Sequence, residues 1–247
     1  MYKVYAITDI GNERQQNQDG FVVDGICCVN VEHREVYYET DADYIHVAIC
    51  DGVGSTRFAT YAVQKAEEYI CNHLKIHNEN ELEKLIVDMN AYVYKSAKAD
   101  NKEDCATTIV GIVMVEDKAF VYNIGDSSAY SVNNGYLEKQ TVDDTGVALF
   151  GEREGTDEIG MQVKPPLFQS IGTNELIDLV HIRKLSNNKA FLICSDGITD
   201  MLSIDEMEDI LETSDSLKEI AQSYVAAANM RGGYDNSTVI LLVDEEE

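Results

Sequence analysis

Residues 107–135 read TTIVGIVMVEDKAFVYNIGDSSAYSVNNG. Three runs of β-branched, apolar and aromatic residues stand in this stretch, at 107–115, 119–124 and 127–132. Such side chains fit a pleated, packed surface better than a helix. Glu116-Asp117 joins the first run to the second, and Asn133-Asn134-Gly135 ends the third with residues that tolerate positive φ. Strands joined by such short turns pair antiparallel, because a parallel return needs a crossover of roughly a dozen residues or more.

The same signals recur on both sides. Upstream, 4–7, 20–23 and 35–39 are short extended candidates, and 44–50 is a nearly continuous apolar run. Downstream, Ala190–Cys194 and 238–243 are further strand candidates. Apolar residues near a 3.6 period predict helices over 58–74 and 79–97, and again over 203–211 and 214–230. Ser203 with Glu206 three positions on is a capping box. Two helices, then hairpins, then two helices is not the alternation of a parallel α/β fold. It predicts an α+β chain, antiparallel sheet with helices packed outside. We find no internal repeat and no long linker, so 1–247 reads as one domain. The Gly- and acid-rich stretch around 145–169, with the only two prolines, Pro165 and Pro166, reads as an insertion loop.

The chain carries 45 Asp plus Glu against 19 Lys plus Arg, a net charge of −26. That excludes a nucleic-acid partner held by phosphate contacts, and equally an anionic membrane surface. No stretch approaches the roughly 20 apolar residues of a membrane helix, and the first residues lack the signature of a signal peptide. A cytoplasmic location is expected. Its six cysteines form no C-x-x-C pair, and Cys50 and Cys194 end apolar runs, so reduced core thiols are expected. The five histidines lack zinc-ligand spacing.

The informative feature is where certain aspartates fall. Asp51, Asp126 and Asp196 follow strands, whereas Asp19 and Asp235 precede them. In an antiparallel sheet, strand starts and strand ends share an edge, so all five converge on one rim. Converging carboxylates repel, and they take up protons or hold cations. All-oxygen ligation favours hard divalent ions, Mg²⁺ or Mn²⁺. Gly52 offers a backbone carbonyl beside Asp51, and each Asp-Gly by itself is equally a plain turn.

These segments resemble the ordered motifs of the metal-dependent type 2C (PPM) protein phosphatases, across nearly the whole chain. Gly11 to Asp19, with Arg14, Asn17 and Asp19, resembles the R-x-x-N-x-D opening. Asp51-Gly52-Val53-Gly54 resembles D-G-x-G, and Ala106-Thr107-Thr108 the A-T-T strand start. Asn123-Ile124-Gly125-Asp126-Ser127 resembles N-x-G-D-S, Ser195-Asp196-Gly197 the S-D-G element, and Asp235-Asn236-Ser237-Thr238 the closing D-N-x-T.

The resemblance implies a central β-sandwich of two antiparallel sheets flanked by helix pairs, four layers α-β-β-α. It implies a bacterial single-domain Ser/Thr phosphatase with two divalent cations, Mn²⁺ or Mg²⁺. Asp51 would bridge the two, with Asp196 and Asp235 on one and the Gly52 carbonyl on the other. Asp19 would act through water or as an added ligand, and Asp126 would serve a weaker third ion. Arg14 would bind phosphate, since a guanidinium can hold two of its oxygens. The implied chemistry is in-line attack by a metal-bridging hydroxide on phosphoserine or phosphothreonine, with no phosphoenzyme. Phosphorylated protein substrates, an opposing Ser/Thr kinase and a monomeric chain go with that reading.

The chain departs from the pattern at several positions. Val53 stands where some relatives carry a histidine proposed as general acid, so bound water would have to protonate the leaving group. Ser128 replaces an arginine, Gly54-Ser55-Thr56 replaces G-G-H, and Asp144 stands where T-x-D-H-S/T members have His. The 145–169 loop sits where relatives have a flap. Its Glu152, Glu154, Asp157 and Glu158 would favour basic phosphopeptides over acidic ones. Two other readings stay open: a pseudophosphatase that binds a phosphoprotein or partner without turnover, and a phosphatase of small phosphate esters.

Overall fold

The structure is a computed structural model, and it describes residues 1–146 and 166–245. Its strands are β1 (Tyr2–Asp9), β2 (Asp19–Val23), β3 (Ile26–Val29), β4 (His33–Thr40), β5 (Tyr44–Asp51), β6 (Ile109–Val115), β7 (Lys118–Ile124), β8 (Ser128–Asn133), β9 (Tyr136–Lys139), β10 (His181–Ser186), β11 (Ala190–Cys194) and β12 (Ser237–Asp244). Helices α1 (Ala59–Cys71) and α2 (Glu79–Ala99) follow β5, and α3 (Asp196–Thr199), α4 (Ile204–Leu211) and α5 (Leu217–Met230) follow β11. One six-stranded sheet runs β4-β1-β12-β11-β8-β9 and the other β10-β7-β6-β5-β2-β3, with neighbouring strands antiparallel.

The expected α+β sandwich is borne out, and the burial pattern shows why these sequences build it. Along β5, Ile45, Val47 and Ile49 face the partner sheet, while Ala48 and Cys50 face the helices. On β12, Ile240 and Leu242 point into the sandwich, and Val239 and Leu241 pack under α4 and α5. Both faces of the central strands are therefore buried, which is why they read as continuous apolar runs. Three apolar layers result: α1 and α2 against β2, β5, β6 and β7, the sheet–sheet core, and α3 to α5 against β1, β11 and β12.

Helix starts follow capping chemistry. Asn78 accepts the Glu81 amide at the start of α2, and Ser203 and Glu206 form the expected capping box at α4. The hairpin between β8 and β9 turns at Asn134 and Gly135, with φ of 52° and 84°. The turn between β2 and β3 uses Asp24 and Gly25, with φ of 44° and 90°, the same left-handed pair.

Strands β3, β9 and β10 and the short α3 were outside the predicted elements. β3, β9 and β10 are end strands or their neighbours at sheet edges, where few apolar residues are needed. One expectation is corrected. Cys27 and Cys71 are joined as a disulfide, whereas Cys28, Cys50, Cys105 and Cys194 are free and buried. The Asp24-Gly25 turn folds β3 back over the end of α1, a pairing across 44 residues that local cysteine spacing does not reveal. Most of the 145–169 loop, residues 147–165, lies outside the described residues, and so do Glu152, Glu154, Asp157 and Glu158. Among the described residues, no helix is long and apolar enough to cross a membrane.

Candidate active site

The antiparallel register builds the site. Asp19 at the start of β2 lies directly opposite Asp51 at the end of β5. Ser195, just past β11, is tied to the start of β12: its amide donates to the Thr238 carbonyl, and its Oγ accepts the Thr238 amide, both at 3.0 Å. Asp196 and Asp235 are thereby brought side by side. Thr107 and Thr108 hold the Asp51 backbone, since the Thr108 amide and the Thr107 hydroxyl donate to its carbonyl at 2.7 and 2.9 Å. Thr108 Oγ1 also shares a hydrogen bond of 2.9 Å with Ser127 Oγ, which ties in the turn carrying Asp126.

Arg14, Asp51, Gly52, Asp126, Asp196 and Asp235 line one cavity of about 460 Å³, together with Val53, Gly54, Ser55, Thr108, Pro166 and Leu167. Every expected site residue except Asp19 is in this lining. Asp19 sits behind it, only 2% exposed. Its Oδ2 accepts the hydroxyls of Ser195 and Thr238 at 2.8 and 2.7 Å. Asn17 and Thr8 complete the buried chain: Asn17 Nδ2 donates to Thr8 Oγ1 at 2.9 Å, and Thr8 Oγ1 pairs with Thr238 Oγ1 at 2.7 Å. Asn17, Ser195 and Thr238 stand inside the quoted motifs, but their task of holding Asp19 was not read from them. Asn236 is a second clamp. It accepts the Gln18 amide and donates to the Ile10 and Gln16 carbonyls, which fixes the loop bearing Arg14.

Gly52 has a steric reason to be glycine. A Cβ there would meet the Gln18 carbonyl oxygen at 2.8 Å and the Ala59 Cβ at 3.0 Å. The backbone of this Asp-Gly step is thus pressed between the first loop and α1.

The carboxylates pay one another no neutrality. Burial first, then repulsion by Asp196, Asp19, Asp126 and Asp235, pushes the Asp51 pKa well above the ordinary carboxylate range. Burial raises Asp19 to about 7 despite its two hydroxyl donors, with Asp196 and Asp235 adding to the rise. Asp235 is also raised, by burial and Asp196, with Arg14 pulling the other way. Arg14 Nη2 donates to Asp235 Oδ2 at 2.5 Å.

Among the described residues, no three His, Cys, Asp or Glu side chains already close around one point. The hydrogen bonds explain this, because Asp19 is turned to hydroxyls and Asp235 to Arg14. The donor set nevertheless fits hard divalent cations: oxygen atoms only, on carboxyls whose proton affinity is raised by one another.

The departures have local causes. Val53, where some relatives carry a histidine, lines the cavity, and Thr56, in the histidine position of G-G-H, donates its hydroxyl to the Val53 carbonyl at 2.8 Å. Ser128 is 1% exposed, opposite Cys194 in the sheet, a position with little room for an arginine. Asp144 is hydrogen-bonded to His181 at 2.8 Å.

The sequence profile described as Protein phosphatase 2C matches residues 34–232, most of the chain. The chain belongs to the protein phosphatase 2C family. The matched span holds Asp51, Gly52, Asp126 and Asp196, while Arg14, Asp19 and Asp235 lie outside it and join through β1, β2 and β12. This phosphatase is 27% identical to the serine/threonine phosphatase stp of Listeria welshimeri, over 95% of this chain and 93% of that one. Its fold is similar to that of the S. agalactiae serine/threonine phosphatase, with a TM-score of 0.79, 22% identity, and 99% and 100% of the two chains covered. It is similar as well to the catalytic domain of the phosphatase PstP solved with two manganese ions, with a TM-score of 0.73, 22% identity, and 98% and 99% covered.

Proposed function

We propose that the chain is a metal-dependent phosphatase of phosphoserine and phosphothreonine in proteins, acting as a single domain over residues 1–247. The observation that carries this reading is one cavity lined by four aspartates with Arg14 among them. Asp51 would bridge two cations, Mn²⁺ or Mg²⁺, with Asp196 and Asp235 on one and the Gly52 carbonyl on the other. Asp19 would add a ligand directly or through water, and Asp126 would serve a weaker third ion. When bound, such ions acidify water to near-neutral pKa and offset charge on the transferring phosphoryl group.

The chain's own residues supply the remainder. Thr107 and Thr108 fix the Asp51 backbone at the edge of the cavity. Ser195 and Thr238 orient the Asp19 carboxyl. Arg14 would exchange its hydrogen bond to Asp235 for two phosphate oxygens, because a guanidinium presents paired donors. Water would attack phosphorus in line with the serine or threonine oxygen, whose bond to phosphorus breaks as another water protonates it, and no side chain would become phosphorylated. The expected setting is the cytoplasm, as a monomer opposing a Ser/Thr kinase, with neither nucleic acid nor membrane as a partner.

Hydrolysis of an aryl phosphate with Mn²⁺, with EDTA, and with Asp51→Ala or Asp196→Ala tests the reading. EDTA should abolish turnover, and each substitution should lower it by about a thousandfold. Activity that survives EDTA and both substitutions refutes it.

A further inference from the structure

Asp144 stands where the T-x-D-H-S/T pattern has a histidine, and the structure shows a carboxylate surrounded by donors. Its Oδ2 accepts the Gly125 amide at 2.9 Å and Gln169 Nε2 at 3.1 Å, and its Oδ1 is 2.8 Å from His181 Nε2. A carboxylate is acceptor-only with two oxygens, whereas a neutral imidazole offers one acceptor nitrogen. A histidine at 144 could not receive all three donors. Asp144 and His181 therefore belong together, with the His181 proton on Nε2 as the partner requires.

The backbone of Asp144 makes the same two connections. Its amide donates to the Gly125 carbonyl at 3.0 Å, and its carbonyl accepts the Phe168 amide at 2.8 Å. Thr145 and Leu167 form a β-bridge beside it. Gly125 has φ of +105°, and a Cβ there would lie 2.6 Å from the Thr108 side chain, so this turn admits little but glycine. The turn carries Asp126 into the cavity, and Pro166 and Leu167 form another part of the cavity wall.

We propose that Asp144, held by His181, is a positioning residue that locks the Asp126 wall of the active site to the wall formed by residues 166–169. The inference rests on the reading of the cavity as the active site. The lock aims the Asp126 carboxylate and fixes the surface along which a phosphopeptide enters. Groups in the second layer of a metal site typically affect its affinity through the residues they orient.

The test compares Asp144→Ala, Asp144→Asn and Gln169→Leu with the wild-type chain. Calorimetric Mn²⁺ titration is read beside KM and kcat for a phosphoserine peptide. Asp144→Ala should weaken the weakest Mn²⁺ binding step about tenfold and raise the peptide KM by a similar factor. Asp144→Asn keeps an oxygen for the Gly125 amide and should recover most of the Mn²⁺ affinity. Gln169→Leu cuts the side-chain tie between Asp144 and the 166–169 wall, together with the Gln169 bond to the Leu179 carbonyl, and spares the Gly125 contact, so it should raise KM and leave Mn²⁺ binding unchanged.

Mn²⁺ affinity and KM of Asp144→Ala both within twofold of wild type would overturn the lock. Should that variant not fold, an unchanged KM in Gln169→Leu overturns it instead. Asp51→Ala is assayed alongside. Turnover surviving in Asp51→Ala sinks the active-site reading itself, whereas a dead Asp51→Ala beside a wild-type-like Asp144→Ala sinks only the lock.

Discussion

Metal loading should expel protons, and the amount follows from the buried carboxyls. The Asp19 pKa is raised from 3.8 to about 7, which costs the charged form about 4 kcal/mol in the metal-free protein. At pH 6.5 a group with pKa near 7 is about three-quarters protonated. Asp51 is pushed up in the same direction, by burial and four neighbouring carboxyls. Asp19 alone should then release about three-quarters of a proton on Mn²⁺ binding at pH 6.5, falling to about a tenth at pH 8, and Asp51, which titrates with it, adds to that release. Apparent Mn²⁺ affinity should then rise about tenfold per pH unit for each proton released. The sign for stability runs with it. A carboxyl whose folded pKa is raised stabilises the fold at low pH and loses that contribution as pH climbs through the folded value. Through Asp19 the metal-free chain should therefore weaken between about pH 4 and pH 7 and change little above that, and Mn²⁺ should restore it. Titration calorimetry in two buffers of different ionisation enthalpy counts the protons, and Asp19→Asn should remove its share. Mn²⁺ affinity that is flat from pH 6 to 8 with no proton exchange would refute this account of the site.

Glu67, 1% exposed on α1, has both carboxyl oxygens without a hydrogen-bond partner and a pKa raised by burial to about 9. From pH 4.5 to 7.5 this should cost about 4 kcal/mol, so Glu67→Gln should be more stable by up to that amount at pH 7.5, the gap closing toward pH 4.5; a urea-denaturation difference independent of pH rules this out. Arg14→Ala should lower kcat/KM by about 100-fold, with Arg14→Lys intermediate because an ammonium lacks the paired donors. Arg14→Ala kinetics equal to wild type would remove Arg14 from phosphate binding.

Much of this was legible in the chain because two kinds of signal coincide. The apolar runs at 44–50 and Ala190–Cys194 needed both faces buried, and the sandwich with outer helices provides this. The alternation of aspartates before and after strands made sense only in antiparallel sheets, as the Asp19–Asp51 register bears out. What escaped reading is equally physical. β10 carries His181, Arg183 and Lys184 on a sheet edge, where solvent tolerates charge and no apolar pattern is required. β3 is short and only partly buried, and its one sequence signal is the Asp24-Gly25 hairpin dipeptide. The pairs Cys27–Cys71 and Asp144–His181 join residues far apart in sequence, which no local spacing encodes. The hydroxyls of Ser195 and Thr238 gain their meaning only once β11 and β12 lie side by side.

The net charge of −26 and the local chemistry of the cavity act at different ranges. Exposed carboxylates are screened over about 8 Å at physiological salt, so they govern encounter more than binding. At the cavity, two divalent ions and Arg14 would carry five positive charges against Asp19, Asp51, Asp126, Asp196 and Asp235. Neutralising the same carboxyls with protons would relieve their repulsion but leave no cation to meet a phosphate dianion. In the metal-free arrangement even Arg14 is engaged, by Asp235. A cation at Asp235 and a phosphate at Arg14 would each break that same ion pair, so each would make room for the other. Coupling of this kind is reciprocal: whatever factor Mn²⁺ adds to phosphate affinity, phosphate must add to Mn²⁺ affinity. On the proposed roles, the Arg14–Asp235 ion pair would be the element through which cation and substrate favour one another's binding.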